Sequence, residues 1–471
     1  MKINFHERFS KIKSPLTTGQ TSRPVIRPER FFGLVALAAG LFVALATPPF
    51  RFPDEYAHFF RAFQLSEGRV IAEREGNKVG GNIPVSVVKA SEPFKLRGFR
   101  PMHQADTRVT AQLLKEPFVR EPLVWQDFMH TAIYSPVAYA PAVAGIWMAK
   151  LSGSSALVMM YASRLVTLLC WAGLVFAAIR LTPVFKWVAV LIGLLPMSVF
   201  LAGSPSADVM TNGSAMLLTA LIARSALAGK ATFTWREGAW ILAVSVFVAL
   251  TKQVYILLAA LAIMIPAERF GGMKRKTVYL CLLAGAAVAV NIIWAWLVRG
   301  VVVTEAWADP GKQTQFIMAH PWEYAKVLAA TLSKSWWMYT QHFVGVLGWL
   351  DTWLPAGLYP SYIAMMLGVA IVDKGDGRPM KIAERLLVAG TCAATLVLIA
   401  TSQYVTYTTP MAPIIRGIQG RYFIPLAVAA LLVLYNRKVK VQERMISIVV
   451  TTFCSIVLAV TCYILIDNYY A

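Results

Sequence analysis

Apolar runs of about 18 or more residues recur from residue 31 to the C-terminus, each long enough to cross a bilayer as a helix. The runs are continuous and do not alternate with polar residues, so the pattern predicts spanning helices and not a β-barrel. The predicted fold class is all-α. It comprises a basic N-terminal stretch (1–30) followed by one polytopic membrane domain (31–471).

The polar connections set the threading. Lysine and arginine near the ends of spanning segments stay on the cytoplasmic side, and residues 1–30 carry Lys2, Arg8, Lys11, Lys13, Arg23, Arg27 and Arg30. With that end inside, the first crossing falls at 31–48. Ala44-Leu45-Ala46 has the small-x-small look of a signal-peptidase site. The run it closes is longer than a usual signal segment, so an uncleaved first helix is expected. A long polar stretch, 49–130, follows on the outer side, and then an apolar stretch at 133–149. Counting 133–149 as a crossing would put the later basic loops outside, so it is expected to lie at the outer surface within a first outer loop (49–155). Crossings then fall near 156–179, 186–203, 207–227, 238–251, 254–267, 277–298, 355–372, 384–402, 421–435 and 446–466. The inner turns (180–186, 224–236, 269–276) are basic, as are those holding Lys374, Arg378 and Lys381, then Arg437, Lys438 and Lys440. A second outer loop covers 299–354. About eleven crossings result, with no internal repeat of the kind that marks inverted-repeat transporters.

Composition agrees. Only 15% of residues are charged, against roughly 25% in soluble chains. The net charge of +21 is spread over short loops, which reads as topology and not as a nucleic-acid footprint. Cys170, Cys281, Cys392, Cys454 and Cys462 all lie in apolar segments, without a CxxC pair or a disulfide framework.

Candidate chemistry gathers on the expected outer side. Directly after the first crossing comes Thr47-Pro-Pro-Phe-Arg-Phe-Pro-Asp54-Glu55-Tyr-Ala-His58-Phe-Phe-Arg61-Ala-Phe63. Pro53 suits a helix start, with Asp54 and Glu55 in the first turn. Asp54, His58, Arg61 and Leu65 would share one face. The plain alternative is a capped surface helix whose acids serve its dipole. Three further groups thread to the same side. They are Ser204-Pro-Ser-Ala-Asp208, with Asn212 one turn on; Lys252 with Tyr255; and Arg416-Gly-Ile-Gln419-Gly-Arg421-Tyr-Phe. A membrane-edge lysine such as Lys252 also serves as a snorkelling anchor, whereas recurrence of both charge signs on one side favours a shared site.

Pro53-Asp-Glu-x-x-His58-Phe-x-Arg61-Ala-Phe63 resembles a bacterial predicted-membrane-protein family of unknown function, generally grouped with the GT-C superfamily of polyprenyl-phosphate-sugar-dependent glycosyltransferases. The resemblance extends to Tyr134-Ser-Pro-Val-Ala-Tyr139, Pro196-Met-Ser, Ser206-Ala-Asp208, Lys252-x-x-Tyr255, Gly345-Val-Leu-Gly-Trp349-Leu-Asp351 and Gly417-Ile-Gln-Gly-Arg421-Tyr-Phe-Ile-Pro425. It implies an enzyme of the bacterial inner membrane, working on the outer face. The enzyme would take a polyprenyl-phosphate sugar donor and a glycan or lipid acceptor. It implies an acidic catalytic residue in the first outer loop, where Asp54 and Glu55 stand, assisted by a second outer carboxylate, for which Asp208 fits. GT-C oligosaccharyltransferases usually carry an extended soluble C-terminal domain that this chain lacks, so transfer to a protein is not expected.

On this reading Asp54, or Glu55 in its place, is the base. Lys252 and Arg421 face the lipid phosphate, and His58, Arg61, Tyr255, Arg416 and Gln419 bind substrate. Trp336, Trp337, Trp349 and Trp353 either stack on sugars or form an interfacial belt. Asp351 among them caps or turns. Asp106, Asp127, Glu305 and Asp309 could each take a divalent ion, magnesium or manganese, though no ligand cluster argues for one. Two other classes fit a multi-helix outer-face protein: a polysaccharide polymerase or ligase, and a transporter or flippase of lipid-linked sugars. The early acidic motif and early long loop favour the transferase over the former. The placement of charge at helix ends favours it over the latter.

Overall fold

The structure, a computed structural model, describes residues 25–94, 106–229, 232–439 and 441–471. The basic residues before 25 and Lys440 lie outside the described residues. In chain order the elements begin with α1 (Pro28–Ala46), α2 (Glu55–Ser66), β1 (Glu73–Glu75), β2 (Lys78–Pro84), α3 (Val85–Ser91), α4 (Thr107–Lys115), β3 (Leu123–Asp127), α5 (Met129–Ala132) and α6 (Pro136–Leu151). Next come α7 (Ala156–Leu181), α8 (Lys186–Gly193), α9 (Pro196–Ala202), α10 (Ala207–Leu227), α11 (Trp235–Thr251), α12 (Met273–Val298), α13 (Pro310–Ala319) and α14 (Pro321–Val344). The chain ends with β4 (Val346–Leu347), β5 (Thr352–Trp353), α15 (Leu358–Val372), α16 (Ile382–Thr406), α17 (Ile424–Leu431) and α18 (Glu443–Tyr470).

Among the described residues, five helices are long and apolar enough to cross a membrane: Pro28–Ala46, Ala156–Leu181, Met273–Val301, Ile382–Thr406 and Glu443–Tyr470. Of the other expected crossings, 207–227 is one continuous but more polar helix, and the rest are shorter or broken. Pro196 cannot continue a helix begun at Lys186, so 186–203 divides into α8 and α9. Segment 254–267 is a 3-10 helix, Gln253–Met264. Its rise of about 2 Å per residue lets 12 residues reach as far as a longer α-helix. Segment 421–435 is α17 flanked by 3-10 turns.

The long helices show why they face lipid. Apolar side chains of α12 and α18 stand exposed, among them Leu282, Ile292, Ile293, Ile448 and Ile456. The opposite case is α10, which carries Asp208, Thr211, Asn212, Ser214 and Thr219 and is buried along nearly its whole length. It packs on α7, α11 and α17 as the axis of the bundle. Its polar side chains are served internally, as with the Thr211 and Ser214 hydroxyls donating to the carbonyls one turn back.

The region 49–130 departs from the all-α expectation. It holds a three-stranded antiparallel sheet, ordered β1-β2-β3, with Gly80 opposite Asp127 and Asn82 opposite Trp125. Gly80 sits so close to the Gln126 carbonyl that a β-carbon would collide with it. This region has its own core of Phe59, Phe60, Phe63, Val79, Ile83, Phe128 and Tyr139. Segment 133–149 becomes α6, laid against α2 and α7. Trp147 Nε1 donates to the Ser66 carbonyl (2.9 Å), Lys150 Nζ donates to Ser66 Oγ (2.8 Å), and Lys150 pairs with Glu67. The helix therefore covers α2.

Candidate functional site

The site starts from one buried ion pair. Pro48 and Pro49 stop α1, and the chain turns sharply before α2. Arg164, the one charge inside an otherwise apolar stretch of α7, holds that turn. Its Nε and Nη2 donate to the two Glu55 carboxylate oxygens at 2.6 and 2.7 Å. Nη1 donates to the Ala44 and Thr47 carbonyls (2.7 and 2.8 Å), and Nη2 also donates to that of Pro48 (3.0 Å). All five guanidinium donors are used, and both side chains of the pair are closed from solvent. Phe52 and Tyr161 cover the cation at 4.6 and 5.1 Å.

This pairing sets the two acids apart. Glu55 opens α2 with its carboxylate turned into the core and both oxygens taken by Arg164. Asp54, one residue earlier, adopts the left-handed conformation (φ 55°), and its side chain caps no backbone N–H. Aspartate is one of the few non-glycine residues that adopt that conformation, and residues in sparsely populated regions concentrate at functional positions. The capped-helix reading therefore fails for Asp54. Its carboxylate is 37% exposed.

Around Asp54 the structure gathers residues from four distant segments. Arg421, 8% exposed, reaches from the turn before α17, with Nη2 3.9 Å from Asp54 Oδ2 and Nε 3.8 Å from Asp208 Oδ2. Both gaps exceed hydrogen-bond length, and Nε has no partner. Lys252 pairs directly with Asp208 Oδ1, beneath the rings of Tyr422 (4.9 Å) and Tyr134 (5.6 Å). His58 lies behind, its Nδ1 2.8 Å from the Tyr139 hydroxyl and its Nε2 3.1 Å from Ser206 Oγ. Ser206 also caps α10 by accepting from the Asp208 N–H. The Tyr134 ring stacks on His58 at 6.3 Å and 8°.

Burial fixes the charges. It lowers the His58 value from 6.5 to about 4, outweighing Asp54 and Asp208, so the imidazole is neutral near pH 7. Burial also disfavours the Lys252 ammonium, but Asp208 more than offsets this and holds it well above its ordinary range. The cluster thus holds two carboxylates, two cations and one neutral imidazole.

The remaining sequence candidates separate. Arg61, three residues after His58 on α2, is committed to other partners. Its fully buried guanidinium donates to Gln64 Oε1 (2.6 Å), the Val70 carbonyl (2.8 Å) and the Tyr134 carbonyl (3.3 Å). It acts on the cluster by holding Tyr134, whose ring stacks on His58. Tyr255 donates to the Tyr422 carbonyl (2.8 Å), fixing the segment that bears Arg421. Gln419 keeps a buried Oε1 without a partner. Arg416 is exposed on the same loop. Asp106, Asp127 and Asp309 accept from backbone N–H groups at helix starts, and Glu305 lies 3.4 Å from His130. Among the described residues no three His, Cys, Asp or Glu side chains converge as metal ligands.

Sequence reasoning passed over Arg164, although a lone arginine in an apolar run is a recognisable signal. It also passed over His342, a buried residue of α14 whose Nδ1 has no partner. Burial lowers its value, and the nearby Arg421 lowers it further. No sequence signal marked it. It comes near because α14 presses on the Arg421 segment at Gly420, where a β-carbon would strike the Tyr339 carbonyl and the Phe343 nitrogen.

A multi-helix bundle with a polar cluster at its helix ends defines a membrane protein with a built polar site. Residues 37–430 match the family described as Predicted membrane protein (DUF2142), and the chain belongs to that family. No curated protein and no solved structure matches it.

Proposed function

We propose that the chain is a membrane glycosyltransferase of GT-C type. It would move a sugar from a polyprenyl-phosphate donor to a glycan or lipid acceptor, on the outer face of the bacterial inner membrane. The observation that carries this reading is Asp54, an uncapped, part-exposed carboxylate in the left-handed conformation, 3.9 Å from a buried Arg421 with a free donor. As the acceptor oxygen attacks the anomeric carbon, its proton passes to the Asp54 carboxylate. The bond from that carbon to the phosphate oxygen breaks, and the electron pair leaves with the lipid phosphate. Arg421 stabilises that charge through its planar donor fork, with His342 beside it. Asp208 acts as the second carboxylate by balancing Lys252 and Arg421, and Lys252 acts on the phosphate through that balance. Neutral His58 keeps Ser206, and so the start of α10, in place.

The purified protein in liposomes tests the reading, with donor labelled in the sugar. Appearance of label on an acceptor, dependent on the protein, is expected. Movement of intact donor across the bilayer without transfer would replace the enzyme with a flippase.

A further inference from the structure

The four tryptophans of 336–353 do not behave alike. Trp336, Trp337 and Trp353 stand 62%, 39% and 50% exposed, as interfacial anchors do. Trp349 is partly buried and stacks on Tyr56, with ring centroids 6.2 Å apart and planes 12° from parallel. Tyr56 stands two residues after Asp54 on the first turn of α2. Burial raises its hydroxyl value and the Asp54 charge raises it further, in keeping with that proximity.

The turn that carries Trp349 is built for the purpose. Strands β4 and β5 pair Leu347 with Thr352, leaving residues 348–351 as the loop. Gly348 and Leu350, on either side of Trp349, both have positive φ (62° and 66°). For leucine that is a strained choice. Asp351 Oδ1 accepts the Trp349 N–H at 3.1 Å, which explains the aspartate as a turn residue. The hairpin is tied down at both flanks, by Asn468 to Thr352 Oγ1 (3.0 Å) and by the Tyr359 hydroxyl to the Gly345 carbonyl (3.3 Å). The indole Nε1 of Trp349 is buried and has no acceptor. Buried N–H groups without partners are rare in folded proteins.

A flat aromatic pair beside a part-exposed carboxylate suits one ligand chemistry, a pyranose. Its C–H face packs on the rings while its hydroxyls donate to Asp54. We infer that Tyr56 and Trp349 form a saccharide platform beside Asp54. This inference rests on the transferase reading for the identity of the sugar's carrier. It does not rest on that reading for binding itself.

The test uses the full chain in nanodiscs, titrated with a polyprenyl-phosphate hexose, with bare polyprenyl phosphate and with free hexoses. The variants are Trp349→Phe, Trp349→Leu and, as a control, Trp336→Leu, each checked for an unchanged unfolding temperature. Trp349→Leu is expected to weaken the glycosylated lipid about tenfold and leave bare polyprenyl phosphate unchanged. Trp349→Phe, which keeps a smaller aromatic ring, should fall between Trp349→Leu and the parent. Trp336→Leu should match the parent. Equal binding of the glycosylated lipid by Trp349→Leu, or equal loss for both lipids, overturns the platform. So does a parent protein that binds no saccharide in any form. Sugar-dependent binding lost in Trp349→Leu, without any transfer, keeps the platform and removes the transferase. Transfer unaltered by Trp349→Leu does the reverse.

Discussion

Two carboxylates one residue apart meet opposite fates. Glu55 is locked to Arg164 in a pair with every donor satisfied, closed from water and covered by aromatic rings. Asp54 faces Arg421 across 3.9 Å, part-exposed and uncapped. A saturated pair fixes backbone, since each guanidinium bond to Ala44, Thr47 and Pro48 ties down the turn from α1 to α2. An unsaturated one leaves donors and lone pairs for something else. The difference teaches that burial and charge alone do not mark chemistry. Unspent hydrogen-bonding capacity does.

Breaking the saturated side should cost most. Arg164→Met leaves Glu55 buried without a partner, and an uncompensated buried charge costs about 3–5 kcal/mol. A large fall in detergent unfolding temperature is expected, and retention of the parent temperature would deny the pair its structural role.

The pH dependence sharpens the contrast next. His58, facing Tyr139, Asp54, Asp208, Lys252 and Arg421, has a folded value of about 4 against 6.5 unfolded. Between those values the unfolded chain binds a proton that the folded chain refuses, so stability rises with pH there. The stabilisation is complete above about pH 6.5 and is lost as the pH falls toward 4, with a ceiling of about 3 kcal/mol. Unfolding temperatures across that window should slope in the parent and flatten in His58→Gln.

On the unsaturated side, Arg421→Lys keeps the charge and removes the fork. Transfer should drop roughly tenfold to a hundredfold, about 1.4–2.7 kcal/mol, with little change in unfolding temperature. The smallest effect belongs to Trp336→Leu, on an exposed face away from both pairs. Stability should stay within about 0.5 kcal/mol and transfer within twofold. A larger loss would extend the site to α14's outer surface.

Much of this arrangement was legible in the chain. Asp54, Asp208, Lys252 and Arg421 were marked by charge at helix ends and His58 by its spacing from Asp54, and the structure brings all five together. What failed did so for local reasons. A helix drawn from Asp54 puts Arg61 on its face. With Asp54 left-handed and α2 beginning at Glu55, Asp54 stands outside the helical wheel, and Arg61 turns toward Val70 and Tyr134. The sheet escaped notice because β1 is three residues long and Gly80 and Gly81 interrupt the alternation of β2. Of the eleven expected crossings, five are helices long and apolar enough to span among the described residues; hydropathy and loop charge, which placed all eleven, do not distinguish a 3-10 segment such as Gln253–Met264 from an α-helix. His342 and Trp349 owe their places to tertiary packing at Gly420 and at the 348–351 turn, which no periodicity encodes.

The central claim is the division of labour between the adjacent acids. It is tested most directly by measuring sugar transfer and unfolding temperature together for Asp54→Asn and Glu55→Gln in the same membranes. Asp54→Asn should lose transfer by about 10²–10⁴-fold at an unchanged unfolding temperature, while Glu55→Gln should lower that temperature. Normal transfer by correctly folded Asp54→Asn would contradict the account.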